Sequence, residues 1–173
     1  MSRLIGLLSP LIESKEISYY LRMRVNEGAE GDPAALLHSV ISAPDFDRGE
    51  PHHPEAYRPS TVDELRAEIS RVNVIPLQVI PFLQMILTTD FAYLGYRGPL
   101  TQQEAESIAR EVVDILGPEV RWWSNVRYPA WAWECGDFED GFTANPVTWH
   151  TYDCAMIGVG NGVAVTFLAY ADD

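Results

Sequence analysis

Residues 145–154, NPVTWHTYDC, crowd a tryptophan, a histidine, an aspartate and a cysteine into ten positions. Three kinds of chemistry use such residues. A zinc ion takes His and Cys ligands, and Cys135 with one of His38, His52 or His53 would complete a set around His150 and Cys154. The chain has no CxxC, HxxxH or HExxH spacing, so no single element pre-forms two ligands. On a strand, His150 and Cys154 share a face but stand ~13 Å apart, too far to hold one ion. No metal and no other cofactor is therefore expected. His52 and His53, between prolines in a polar stretch, read as solvated.

Nucleophilic catalysis would set Cys135 or Cys154 beside His150, with Asp153 or Asp137 orienting the ring. On a strand, His150 and Asp153 project to opposite faces and do not pair unless the strand begins after the aspartate. The alternation from Thr148 onward puts Trp149, Thr151 and Asp153 on one face and His150, Tyr152 and Cys154 on the other. A broader enzyme reading remains, in which Asp153 or Glu134 is the acid/base group of a tryptophan-lined pocket for a hydrophobic small molecule. The glycines of GVGNG, 158–162, precede a β-branched run rather than a helix, so they belong to a turn and not to a phosphate loop.

All five tryptophans fall between residues 122 and 149, joined by Tyr128, Phe138, Phe142 and Tyr152. Adjacent Trp122 and Trp123 must face opposite sides of a strand. Trp131 and Trp133, alternating with Ala132 and Glu134, are expected to share one face. Such density serves a core and its rim, or a contact surface, because Trp and Tyr dominate interface hot spots. Around these rings stand Glu134, Asp137, Glu139 and Asp140 with no base nearby.

Charge points the same way. The 173 residues carry 25 acids and 12 bases, a net −13, and only Lys15 among the bases is a lysine. The arginine bias fits a GC-rich bacterial genome. Residues 27–64 hold nine acids against Arg48 and Arg58, and residues 128–173 hold seven acids and no Lys or Arg. A field of this sign repels phosphate backbones and attracts basic proteins, so direct nucleic-acid binding is not expected. Acidity also serves solubility alone. The reading that unites charge and aromatics is an acidic binding protein that inhibits a basic partner. Its concrete form is an immunity-type protein that neutralises a nuclease-like bacterial toxin. Its expected contact residues are Trp131, Trp133, Glu134, Asp137, Glu139, Asp140 and His150.

Two cysteines make no disulfide framework; a Cys135–Cys154 bridge stays open, with half-buried thiols the simpler reading. The start, MSRLIGLLSPLIESKE, breaks at Ser9-Pro10, reaches Glu13 quickly and offers no small-residue cleavage site. No stretch approaches ~20 apolar residues, so no membrane span is expected and cytoplasmic placement follows.

The elements that must position these residues alternate in type. Leu4, Leu7, Leu8, Leu11 and Ile12 predict a helix over 3–14, and the alternation from Ile17 to Val25 predicts a strand. Asp32-Pro33 caps a helix through Val40, followed by a long loop, 43–60. Thr61 with Glu64 and Thr101 with Glu104 form capping boxes, the first opening a helix to about Val72, the second one ended by Gly117-Pro118. Between them, VIPLQVIPFLQMILTT predicts a buried helix after Pro76, kinked at Pro81. FAYLGYR and EVRWWSNV predict strands, and Asn161-Gly162 predicts a hairpin joining YDCAMIGVG to VAVTFLAY. The expected fold is one α+β domain, 1–173, whose antiparallel, aromatic-rich sheet is covered on one face by helices.

Overall fold

A computed structural model describes residues 3–28, 31–51, 57–90, 95, 96, 98–138 and 142–172. Its centre is the hairpin of β8 (Tyr152–Gly160) and β9 (Val163–Ala171), joined by two residues with positive φ, Asn161 at 47° and Gly162 at 71°. That is the backbone of a type I′ turn, whose twist matches the flanking strands. β1 (Leu21–Glu27) pairs with β9, β5 (Arg121–Ser124) pairs with β8, and the short β2 (Ser70–Val72) pairs with β5. All five strands of the β1-β9-β8-β5-β2 sheet run antiparallel, in the expected α+β architecture.

Helical cover extends to both faces of this sheet. On one, α1 (Arg3–Ile12), α5 (Val79–Thr88) and α6 (Gln102–Leu116) bring Leu8, Phe82, Ile86, Ala109 and Val112 onto Met23, Trp122, Met156 and Phe167. On the other, α3 (Pro33–Ile41) and α4 (Val62–Glu68) bring Leu37, Ile41 and Leu65 onto Ala155, Ile157 and Leu168. Seven consecutive β8 residues, from Asp153 to Val159, are buried, as a strand covered on both sides requires.

Local chemistry sets the helix ends. Asp32 accepts from Ala34 N, and both capping boxes form, with Glu64 and Glu104 reaching back to the N-caps Thr61 and Thr101. A one-turn 3₁₀ segment, Pro76–Gln78, leads into α5, so Pro81 sits in its first turn, where its missing N–H costs nothing. Three boundaries differ from expectation. Lys15–Ser18 is a short helix, α2, capped by the Ser14 hydroxyl, so the first strand begins only at Leu21. α4 stops at Glu68 because Ile69 turns extended and Ser70–Val72 joins the sheet edge. β8 begins at Tyr152, and residues 148–151 are bends rather than strand. Two small ladders complete the fold: β3 (Thr89–Asp90) with β4 (Gly95–Tyr96), and β6 (Val126–Arg127) with β7 (Thr143–Ala144). The rest of the expected FAYLGYR strand lies outside the described residues.

Trp122 and Gly158 are cross-strand partners, and the indole lies flat over the glycine. A Cβ at Gly158 would come within 2.4 Å of the ring. Trp123, on the opposite face as expected, packs against the second core.

Candidate functional site

The segment 145–154 is a polar clamp at one end of the sheet. Its strand never extends back through Thr148, so the alternating two-face pattern does not form. Instead the chain bends over Asp153, whose Oδ2 accepts from Val147 N (2.9 Å), Thr148 N (2.7 Å) and the Thr148 hydroxyl (2.8 Å). Its Oδ1 accepts from Asn125 Nδ2 at 2.8 Å. Burial pushes the Asp153 carboxyl above its ordinary range, and donation from Thr148 and Val147 opposes that shift. Every oxygen is committed, so this buried acid serves the backbone.

His150 is only 5% exposed and turns toward the α3–α4 side, stacked on Tyr170 with ring centroids 4.6 Å apart. Nδ1 meets Asp172 Oδ2 at 2.8 Å, and Nε2 meets the Asp47 carbonyl at 2.9 Å. Cys154 belongs to the opposite core, so the expected sharing of a face by His150 and Cys154 is overturned. The same bends hold the long loop: Trp149 N donates to Arg48 O, and Arg58 donates to Thr148 O and lies over the Trp149 ring.

Neither thiol is bridged; Cys135 is exposed and Cys154 buried. Burial raises the Cys154 pKa, which keeps it a thiol rather than the thiolate a nucleophile needs. Among the described residues, no three His, Cys, Asp or Glu side chains are grouped to hold a metal ion. His52 and His53 lie outside the described residues.

The aromatic segment folds differently from its pattern. WAWE forms a short helix, α7 (Ala130–Cys135), rather than a strand, with Pro129 as N-cap and Gly136 as a left-handed C-cap. Residues two apart on a helix diverge by ~200°. Trp131 and Trp133 therefore point apart, which corrects the expected shared face. Trp133 is 6% exposed and packs with Phe82, Tyr128 and Phe138, centroids 4.9–6.2 Å away. Trp131 is 46% exposed, and Glu134 and Asp137 are exposed beside it in sequence. Glu139 and Asp140 lie outside the described residues. Of the seven expected contact residues, the structure thus brings three to the surface and turns Trp133 and His150 inward.

Sequence reasoning passed over a cavity of about 190 Å³ between β8, the β6–β7 ladder and α5. Its walls include Tyr128, Phe138, Phe142 and Tyr152, with Met85 and Cys154. No tryptophan lines it, unlike the expected tryptophan pocket. Among the described residues the only carboxylate on its wall is Asp153, already filled by four donors; Glu134 is not part of it. The aromatic density was the legible signal; the cavity arises from packing of distant elements. No helix among the described residues is long and apolar enough to cross a membrane.

Compared with known protein families, curated proteins and solved structures, the chain has no significant match.

Proposed function

We propose that this is an acidic protein-binding module that inhibits a basic partner, most concretely an immunity-type protein acting on a nuclease-like bacterial toxin. The observation that carries this reading is Trp131, a half-exposed indole on a helix whose inner side is fixed by Trp133 in the aromatic core. A rigid aromatic side chain that stays exposed loses little conformational freedom on binding, the property of an interface anchor. Glu134 and Asp137, both exposed, follow it in sequence, within a 128–173 segment that contains no Lys or Arg. Such a field speeds the encounter with a cationic surface.

The test is co-purification with the product of the neighbouring reading frame, at 50 mM and 500 mM salt. Wild type retains a basic partner at low salt and loses affinity as salt rises. Trp131→Ala, or Glu134→Lys with Asp137→Lys, weakens retention at least tenfold without changing the unfolding midpoint. A partner held equally by the charge-reversed variant, at both salt concentrations, ends the proposal.

A further inference from the structure

We infer that the cavity beside Tyr128 is a binding site for a small, uncharged aromatic molecule carrying one polar substituent, such as a phenol. This site is separate from the Trp131 surface and stands whether or not that surface binds a protein.

Size comes first. At about 190 Å³ the cavity exceeds the ~150 Å³ of an engineered apolar cavity that takes up benzene. It therefore holds one substituted ring rather than an extended ligand. The walls then set the class. Tyr128, Phe138, Phe142 and Tyr152 offer ring faces and edges, and Met85 adds a polarisable thioether. Phe142 (43% exposed) and Tyr152 (38%) are only partly covered, giving access from solvent without rearrangement of the core.

Charge selects next. Among the described residues no Lys, Arg or His lines the cavity, so none of them neutralises an anion there. The one carboxylate among the described lining residues, Asp153, has both oxygens occupied by Asn125, Val147 and Thr148, so it is not free as a counter-ion for a cation. A neutral ligand remains. The polar substituent follows from Tyr128, whose hydroxyl has no hydrogen-bond partner among the described residues. Burial raises the pKa of that phenol, so it stays a neutral donor and acceptor at working pH.

Titration with phenol, toluene and benzoate, followed by the Met85 methyl resonance and by calorimetry, tests the site. Phenol and toluene are expected to give saturable one-to-one binding, with benzoate at least tenfold weaker. Ala144→Trp and Thr151→Trp place bulk on exposed lining positions without touching the core, and each should abolish binding. Tyr128→Phe should weaken phenol by roughly 2- to 10-fold, the worth of one neutral hydrogen bond. It should leave toluene unchanged. The inference fails if neither phenol nor toluene saturates below its solubility limit, or if benzoate matches phenol. It also fails if both tryptophan variants bind phenol like wild type, or if Tyr128→Phe weakens phenol and toluene alike.

Discussion

Asn125 and Asp153 divide the backbone of three segments between them. The Asn125 amide donates to Asp153 Oδ1 at 2.8 Å and to the Asn145 carbonyl at 3.0 Å, while its own Oδ1 accepts from Ala155 N at 2.7 Å. Asp153 supplies the remaining acceptors for Val147 and Thr148. The two side chains stand in for hydrogen bonds that the sheet cannot make where β8 ends. Asp153→Ala leaves four buried donor interactions without acceptor and is expected to cost about 2–4 kcal/mol. Asp153→Asn also destabilises, because an amide sets its own donor against one of them. Urea unfolding measures both; a loss below ~1 kcal/mol for the alanine variant would show that water replaces the carboxylate.

Glu64 gives a pH signature at the start of α4. Backbone and hydroxyl donation from Ser60, then from Thr61, lowers its pKa to about 2. The folded chain thus holds Glu64 ionised where the unfolded chain, near its ordinary ~4.3, begins to protonate. Its contribution is present above pH ~4.3 and is lost as pH falls toward about 2. Glu64→Gln should melt below wild type at pH 7, with the gap closing by pH 2. A gap independent of pH would assign the effect to lost contacts instead.

The two α7 tryptophans should separate folding from binding. Trp133→Ala removes a ring packed on Phe82, Tyr128 and Phe138 and is expected to cost about 3–5 kcal/mol in unfolding experiments. Trp131→Ala is expected to stay within ~1 kcal/mol of wild type while losing the partner. Equal destabilisation by both would mean that Trp131 is also a packing residue.

Gly158 is expected to tolerate no side chain while Trp122 lies over it. Gly158→Ala forces the indole away and should cost about 1–3 kcal/mol, the usual penalty of overpacking. Adding Trp122→Leu should recover part of that loss, so the two changes will not be additive. Strict additivity in a double-mutant cycle would contradict the contact.

The most legible features were those whose chemistry is local. Thr61 with Glu64, Thr101 with Glu104, and Asn161-Gly162 carry their structures within two to four residues, and each forms as read. WAWE misled because four alternating residues fit one turn of helix as well as a strand. Pro129 and Gly136, bracketing it, were the better guide. Helices on both faces were foreshadowed by the unbroken apolar run of CAMIGV, whereas one-sided cover predicts alternation. The Asp153 clamp was not legible, because its partner Asn125 lies 28 residues away. The cavity was equally hidden, since its walls come from α5, β6, β7 and β8.

The strand order has a consequence for how the chain is made. β1 pairs along its whole length with β9, and the Tyr170 hydroxyl donates to the Ser18 carbonyl from 152 residues further on. Both central strands, β8 and β9, are thus translated after every helix that packs on them. During synthesis, α1, α3, α5 and α6 emerge with apolar faces and no sheet to cover them. Such long-range closure is slow, and chains interrupted before β9 expose both faces at once. Chains truncated before β8 are therefore expected to aggregate rather than fold, measured as the soluble fraction on expression.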